Sequence, residues 1–546
     1  MFLIYDTETT GIPKDFSAPP TDTENWPRMV QIAWQLHDKK GRLIENASYI
    51  VKPDGYDIPF NAAQIHGITT EKAIAEGHEL SKVIKEFRKV LAKAEVLSGH
   101  NLSFDQGILG AEFVREGLDY TEIDLPIADT MLLSTDFCEL PGGRGGGFKP
   151  PTLSELHEVL FGNRFDEAHN ASADVNATAR SFMELIRLGV IPKEKLLLTE
   201  EEYIAFKEFN TEQFQPFDIV IESQVEDYQK ATDSKKKLLD ETAKAATQAT
   251  YFHFHNHTSF SVLSATTSIK SLVQKAIEEN MPAVGITDTG NLMGSFKFVQ
   301  EVKAANSKLE NPIVPIIGCE IYVAENYQQK KFTKDNPDRR FVQLLIAKNK
   351  KGFQNLSKIS SVGYIDGFYA GYPRVGKEVI AEYKENLIAL TGGLNGEIPN
   401  LILNVGEVQA EEAFVWWNEL FGDDFYVELI RHGLPEEEHV NQVLLRFAEK
   451  YGVKVIAQNN TFYINKEDSE AHDILLCVRD GEKKDTPIGR GRGKRFGFPN
   501  DEFYFKSQDQ MRSIFHDLPQ AIENLSEFLE KIEPYDLASD VMLPKF

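Results

Sequence analysis

The chain has 546 residues, too many for one ordinary core, so two or three domains are expected. Its 42% hydrophobic and 26% charged residues are those of a globular protein, and no run nears the roughly 18 apolar residues of a membrane span. A net charge of −25 argues against a grip on nucleic acid by bulk electrostatics and limits autonomous DNA affinity. It leaves open chemistry in which carboxylates hold divalent cations while a partner holds the substrate. Three scattered cysteines, Cys138, Cys319 and Cys477, argue against a disulfide framework or a zinc ribbon and fit a reducing cytoplasm. The opening MFLIYDTETTG has neither a basic region nor a cleavage site, so no signal peptide is visible.

In chain order, residues 2 to 5 read as a short buried strand. MVQIAWQL follows, with Val30, Ile32, Trp34 and Leu36 alternating as in a strand, and then the strand-like RLIENASYIV. Val83, Ile84, Phe87, Val90 and Leu91 fall at helical spacing between Ser81 and Ala94, and another helix is expected from Ser172 through Ile186. The Gly/Pro-rich stretch 141 to 151 is expected to be a mobile loop. This α/β region is taken as residues 1 to 191. Residues 192 to 250 are charged and helix-prone with weak apolar patterning, and read as a partly helical connector. From 251 seven strand-like runs (YFHFH, AVGITD, IVPIIGCEIYVA, RFVQLLIA, LIALT, FYVELI and VKVIAQ) alternate with helical stretches. That pattern predicts parallel strands in a barrel-like α/β domain over 251 to 495. Residues 496 to 546 form a last segment that stops at LPKF, which reads as a truncation.

Asp6 and Glu8, two apart at a strand end, point to one face and repel each other unless a cation pairs with them. Hard oxygen ligands favour Mg²⁺ or Mn²⁺. Asn101-Leu-Ser-Phe104-Asp105 opens a helix behind VLSGH, and His169-Asn-Ala-Ser-Ala-Asp174 puts an imidazole five residues before a further carboxylate. Two-metal phosphodiester hydrolysis calls for such a set: carboxylates for the ions and a near-neutral base for the attacking water. His66 and His100 are expected to make local hydrogen bonds, and Phe104 to pack in the core beside Asp105.

DTETTG, N-L-S-F-D and H-x-x-x-x-D, in this order, resemble the DEDDh family of 3′→5′ exonucleases, and most of all the proofreading epsilon subunit of bacterial DNA polymerase III. The stretches Ile65-His-Gly-Ile-Thr69 and Asp129-Thr130 fit the same family. The resemblance implies a ribonuclease H-like fold (a mixed sheet flanked by helices) with Asp6, Glu8, Asp105 and Asp174 as ligands of two Mg²⁺ or Mn²⁺ ions. His169 is then the general base, and a frayed DNA 3′ end the substrate.

The histidine-rich His253-Phe-His255-Asn-His257, followed by ITDTGNLMGSFKF, IIGCEIYVA, HGLPEEEHVN and DEFYFKS, resembles the N-terminal part of the DNA polymerase III alpha subunit. There the region is the PHP (polymerase and histidinol phosphatase) domain, a distorted (β/α)7 barrel. Of its metal ligands this chain keeps His255, His257, Asp288 and Glu320, a candidate vestigial site. By the same resemblance Ser264, Thr289, Val342, Gly393, Asn460 and Phe462 stand where ligands are usual, which predicts a PHP domain that is mainly structural. The run Arg490, Arg492, Lys494 and Arg495 is the candidate phosphate-binding segment. The expectation is a proofreading exonuclease joined to the front of a polymerase III-type replicase in the cytoplasm, with a sliding clamp as partner and no polymerase centre in this chain. The alternatives are an exoribonuclease acting on short RNA and a non-catalytic replisome scaffold.

Overall fold

The computed structural model describes residues 1–142, 146–163, 171–217, 249–333, 337–489 and 493–538. The chain divides into two compact units that part between residues 217 and 249. Among the described residues no helix is long and apolar enough to cross a membrane.

The first unit is built on a five-stranded sheet in the order β3 (Leu43–Ile50), β2 (Met29–His37), β1 (Phe2–Thr9), β4 (Val96–Gly99) and β5 (Ile127–Asp129). β1 runs antiparallel to β2 and parallel to β4, which makes the sheet mixed. The continuous apolar run at the start of β1 follows from its central place, because both of its faces are covered. Leu3 and Tyr5 join one core layer with Val83, Phe87 and Leu109 from the helices Leu80–Leu91 and Leu102–Arg115. Phe2 and Ile4 point the other way, into a layer with Val175, Phe182 and Ile186 of the helix Ala171–Arg187. The period of two then carries Asp6 and Glu8 to this second face and Thr7 to the first.

The expected connector begins too early at 192. Leu196, Leu198 and Phe206 are buried in the same core layer as Phe182 and Met183, and Phe214 and Phe217 pack against it. Arg180 Nε donates to the Phe214 carbonyl (2.7 Å), and Asn176 exchanges two hydrogen bonds with the backbone of Phe217. A few large aromatics, spaced too sparsely to give a helical pattern, hold residues 192–217 onto the first unit. The rest of the expected connector, 218–248, and residues 143–145 of the Gly/Pro loop lie outside the described residues.

The second unit has a seven-stranded sheet in the order β12 (Val455–Gln458), β11 (Phe425–Ile430), β10 (Leu387–Leu390), β8 (Phe341–Ala347), β7 (Val314–Val323) and β6 (Ala283–Ile286), with β9 (Arg374–Val375) on β7. β6–β7 and β10–β11–β12 pair in parallel, as expected. β8 does not: it is antiparallel to both β7 and β10. The described part of the β7–β8 connection carries no helix, so the chain turns back beside β7 and no crossover forms.

Residues 251–257 close the sheet. The Gly285 and Thr287 amides donate to His253 and Asn256 on one side, while His257 and Thr461 pair on the other. Gln458 donates to the Phe252 carbonyl and accepts from the Phe254 amide, standing in for backbone partners. The approach is close: a Cβ on Gly285 would lie 2.7 Å from Phe254 Cα, so only glycine fits there.

The expected boundary at 495 is also displaced. Phe505 lies with its ring 4.2 Å from that of His253, and Phe528 stacks on Phe254 at 4.7 Å, so the described residues 496–538 complete this barrel unit.

Candidate active site

β4 pairs with β1 only through Ile4, leaving the far end of β1 to the groups that follow β4. Asp105, in the first turn of the helix Leu102–Arg115, takes that place. Its Oδ1 accepts from the Thr7 amide (2.9 Å) and from Thr7 Oγ1 (2.7 Å). The helix start is fixed by Asp129 at the end of β5, whose carboxylate accepts from the Asn101 and Leu102 amides and also caps the next helix at Met131. Asp129 is therefore a positioning residue for Asp105. His100 hydrogen-bonds as expected, though not locally in the chain: its ring nitrogens meet Thr130 Oγ1 and the Pro151 carbonyl, each at 3.0 Å.

Asp6, Glu8 and Asp174, the last in the first turn of the helix Ala171–Arg187, offer oxygens that all lie within 4.8 Å of one another. Oxygens on opposite sides of one Mg²⁺ are about 4 Å apart, so the trio can close on an ion by small rotations. Burial, then Asp105, Asp174 and Glu8, hold the Asp6 carboxyl well above the usual carboxylate range. Burial, followed by repulsion from Asp174 and Asp105, pushes Glu8 up to about 8. Burial likewise pushes Asp105 up to about 7, against the hydrogen bonds from Thr7. Carboxylates held together at such a cost are donors that a divalent cation relieves, and this donor set fits Mg²⁺ or Mn²⁺. His169 lies outside the described residues.

In the second unit the structure brings together His255, His257 and Glu320, again within 4.8 Å. Asp288 does not join them as a ligand. Thr258 donates to it through both its amide and its hydroxyl, and Ser261 through its hydroxyl, each at 2.7 Å. The carboxylate that does reach His255 is Glu428, 2.7 Å from Nδ1, while Glu320 lies 3.1 Å from Nε2. Burial opposes charge on His255, but Glu428 and Glu320 outweigh it and raise its pKa to about 10; Glu320 is held down at about 2, its own burial outweighed by His257 and His255. A carboxylate–imidazolium–carboxylate bridge thus supplies the positive charge that these acids need. Asn460 meets His257 Nε2 at 2.8 Å, the Phe462 ring stacks on His257 at 4.2 Å, and Thr289 donates to Glu320 at 2.7 Å, so three of the non-ligand substitutions line the same centre. Glu428 went unnoticed in the sequence although it is a charged residue inside the apolar run FYVELI.

The phosphate-binding expectation fails at Arg495. Its side chain is 4% exposed and bidentate to Asp473 (2.6 and 2.8 Å), with further bonds to the Thr486 and Lys484 carbonyls. It is a strut inside the unit, with no donor turned to a phosphate. Arg490 and Arg492 lie outside the described residues. Arg495→Ala is expected to lower the unfolding free energy of this unit by roughly 2–3 kcal/mol in a denaturant titration, with no change in DNA affinity. Weaker DNA binding at unaltered stability would restore the phosphate role.

Residues 3–182 match the family described as Exonuclease, and residues 253–432 the PHP domain. Among curated proteins, the DNA polymerase III subunit alpha of Borreliella burgdorferi is 36% identical over 287 residues, which is 53% of this chain and 24% of that protein. The corresponding subunit of Thermus aquaticus is 39% identical over 274 residues, 50% of this chain and 21% of its own. The chain thus spans about a quarter of the length of these relatives. Among solved structures, Escherichia coli exonuclease I in complex with a dT13 oligonucleotide overlaps 37% of this chain and 45% of its own at 22% identity, with a TM-score of only 0.29. The chain carries an exonuclease domain in residues 3–182 and a PHP domain in residues 253–432.

Proposed function

We propose that the first unit is a divalent-metal-dependent 3′→5′ exonuclease that removes mismatched 3′-terminal nucleotides from DNA, as part of a DNA polymerase III alpha-type replicase in the cytoplasm. The observation that carries this reading is the convergence of Asp6, Glu8 and Asp174 beside the buried Asp105. Bound there, Mg²⁺ or Mn²⁺ would supply an activated water and stabilise the leaving 3′-oxygen, two ions sharing the work. Asp6 and Glu8 would hold cation from a strand and Asp174 from a helix start, while Thr7 fixes Asp105 through two hydrogen bonds. His169 is the base that takes the proton of the attacking water. The PHP unit is mainly structural, and the replicase, its nucleoid location and a sliding clamp are the partners in this reading.

The test compares a primer carrying a 3′ mismatch with an RNA oligomer of the same sequence, in Mg²⁺ or Mn²⁺. Stepwise 3′ shortening of the DNA is expected to be the faster reaction. Strong preference for the RNA would replace proofreading with an exoribonuclease.

A further inference from the structure

The helix Lys350–Ile365 of the second unit carries lysines and no acid, in a chain with 84 acidic and 59 basic residues. One side of it, with Leu356 and Ile359 buried, packs on β7 and β8. Lys350, Lys351, Lys358, Tyr364 and Ile365 are exposed and, at about 3.6 residues per turn, all fall on the opposite side. Lys350 and Lys351 stand in the first turn, where the helix dipole disfavours positive charge. Lys348, just before the helix, pairs with Asp424 at 2.5 Å, whereas Lys350, Lys351 and Lys358 have no carboxylate partner among the described residues. Lys358 lies over the Tyr383 ring at 5.1 Å.

The same side ends in uncovered apolar groups: Ile365 is 79% exposed, Tyr364 45% and, just past the helix, Phe368 46%. The rings of Tyr364 and Phe368 stack, 5.8 Å apart between centroids and 17° from parallel. Lys330, from the segment that follows β7, donates to the Asp366 and Phe368 carbonyls at 2.6 and 2.8 Å. These bonds fix the turn after the helix and set an ammonium beside the ring pair. Asp366 is the only acid between residues 350 and 376.

We infer that this side of the second unit is a binding track for single-stranded DNA, with a base stacked on the Tyr364–Phe368 pair and phosphates met by Lys330, Lys351 and Lys358. From Tyr364 back to Lys351 the helix rises roughly 20 Å, so the track spans several nucleotides. A strand offers a phosphate and a flat base at every step, and one polymer thereby satisfies both halves of the face. An acidic peptide satisfies only the lysines. Stacking is indifferent to sequence, but a base within a duplex already has both faces covered, so single strands are selected. The net charge of −25 opposes DNA over the molecule as a whole and leaves this lysine-only face as the place where a strand is least repelled. The track lies on the second unit and does not depend on the exonuclease reading.

The test measures fluorescence anisotropy of a circular single-stranded oligothymidylate with the whole chain, without divalent metal. A circle has no 3′ end for the first unit to take. Wild type should bind it more tightly than a duplex of equal length. Tyr364→Ala combined with Phe368→Ala is expected to weaken binding about 5- to 100-fold, and to cause no further loss on a circle of abasic nucleotides. Lys351→Gln with Lys358→Gln alters only exposed side chains, so the fold is kept. It should flatten the slope of log affinity against log salt by about 1.4. No binding of the circle, equal losses on the normal and abasic circles, or an unchanged salt slope overturns the assignment. Polyglutamate bound as tightly as the circle also overturns it, and marks the face as a dock for an acidic protein.

Discussion

Asp6→Asn is expected to lower the rate of 3′-terminal hydrolysis by about 10³-fold or more, and at the same time to raise the thermal stability of the metal-free protein. Both effects have one origin. Asp6 is half-buried against Asp105, Asp174 and Glu8, and no arginine, lysine or protonated histidine compensates the cluster among the described groups that shift it. Removing one charge relieves repulsion but takes away a cation ligand. The same crowding gives the metal-free protein a pH dependence. The raised pKa of Glu8, about 8, means that the folded state keeps a proton that the unfolded chain releases near 4.5. That contribution is complete below pH 4.5 and is lost as the pH rises through about 8, and Asp105, at about 7, acts in the same direction. Unfolding followed by near-UV circular dichroism should show wild type losing roughly 1–3 kcal/mol across this range without metal, and recovering it with Mg²⁺. Asp6→Asn should lose less and recover less. A mutant that is both inactive and destabilised would point to simple misfolding.

Glu428→Gln is expected to destabilise the second unit by about 3 kcal/mol with no effect on hydrolysis. The carboxylate is 1% exposed, and its Oε2 is buried with no hydrogen-bond partner among the described residues, so its worth lies in the His255 pairing through Oε1. Neutralising it leaves the imidazolium with Glu320 alone. Replacing both partners with leucine should cost far less than Glu428→Gln, because breaking a buried pair is worse than deleting it. The bridge is also pH-limited on both sides. Stabilisation from His255 is complete below its ordinary value of 6.5 and is lost as the pH rises through about 10. That from Glu320 is present above 4.5 and is lost as the pH falls through about 2. The two overlap fully between about pH 4.5 and 6.5. A urea titration in that window measures the effect, and a change under 0.5 kcal/mol in Glu428→Gln would show that the bridge contributes nothing.

Most of the first site was legible because its chemistry is local. Asp6 and Glu8 share a face by strand periodicity, and Asp105 and Asp174 open helices that the apolar spacing already outlines. Thr7 was not, since a threonine between two acids gives no sign that it will hold a third. In the second unit the retained His255, His257 and Glu320 do meet, yet Asp288 is spent on Thr258 and Ser261, and Glu428 arrives from a strand more than 100 residues away. Long-range hydrogen bonding of this kind leaves no periodic trace. Arg495 misled for a related reason: a run of basic residues looks alike whether it faces water or, as here, is bound to Asp473. The docking of residues 192–217 turned on a few aromatic anchors too sparse to form a pattern, and the reversal of β8 on a β7–β8 connection whose described part carries no helix.

The most direct test of the central claim follows a 5′-labelled primer with a 3′ mismatch in Mg²⁺, comparing wild type with Asp6→Asn and His255→Ala. The account predicts a ladder shortening from the 3′ end in wild type and in His255→Ala, and none in Asp6→Asn. Cleavage that survives Asp6→Asn but disappears in His255→Ala would place the hydrolytic centre in the PHP unit and contradict it.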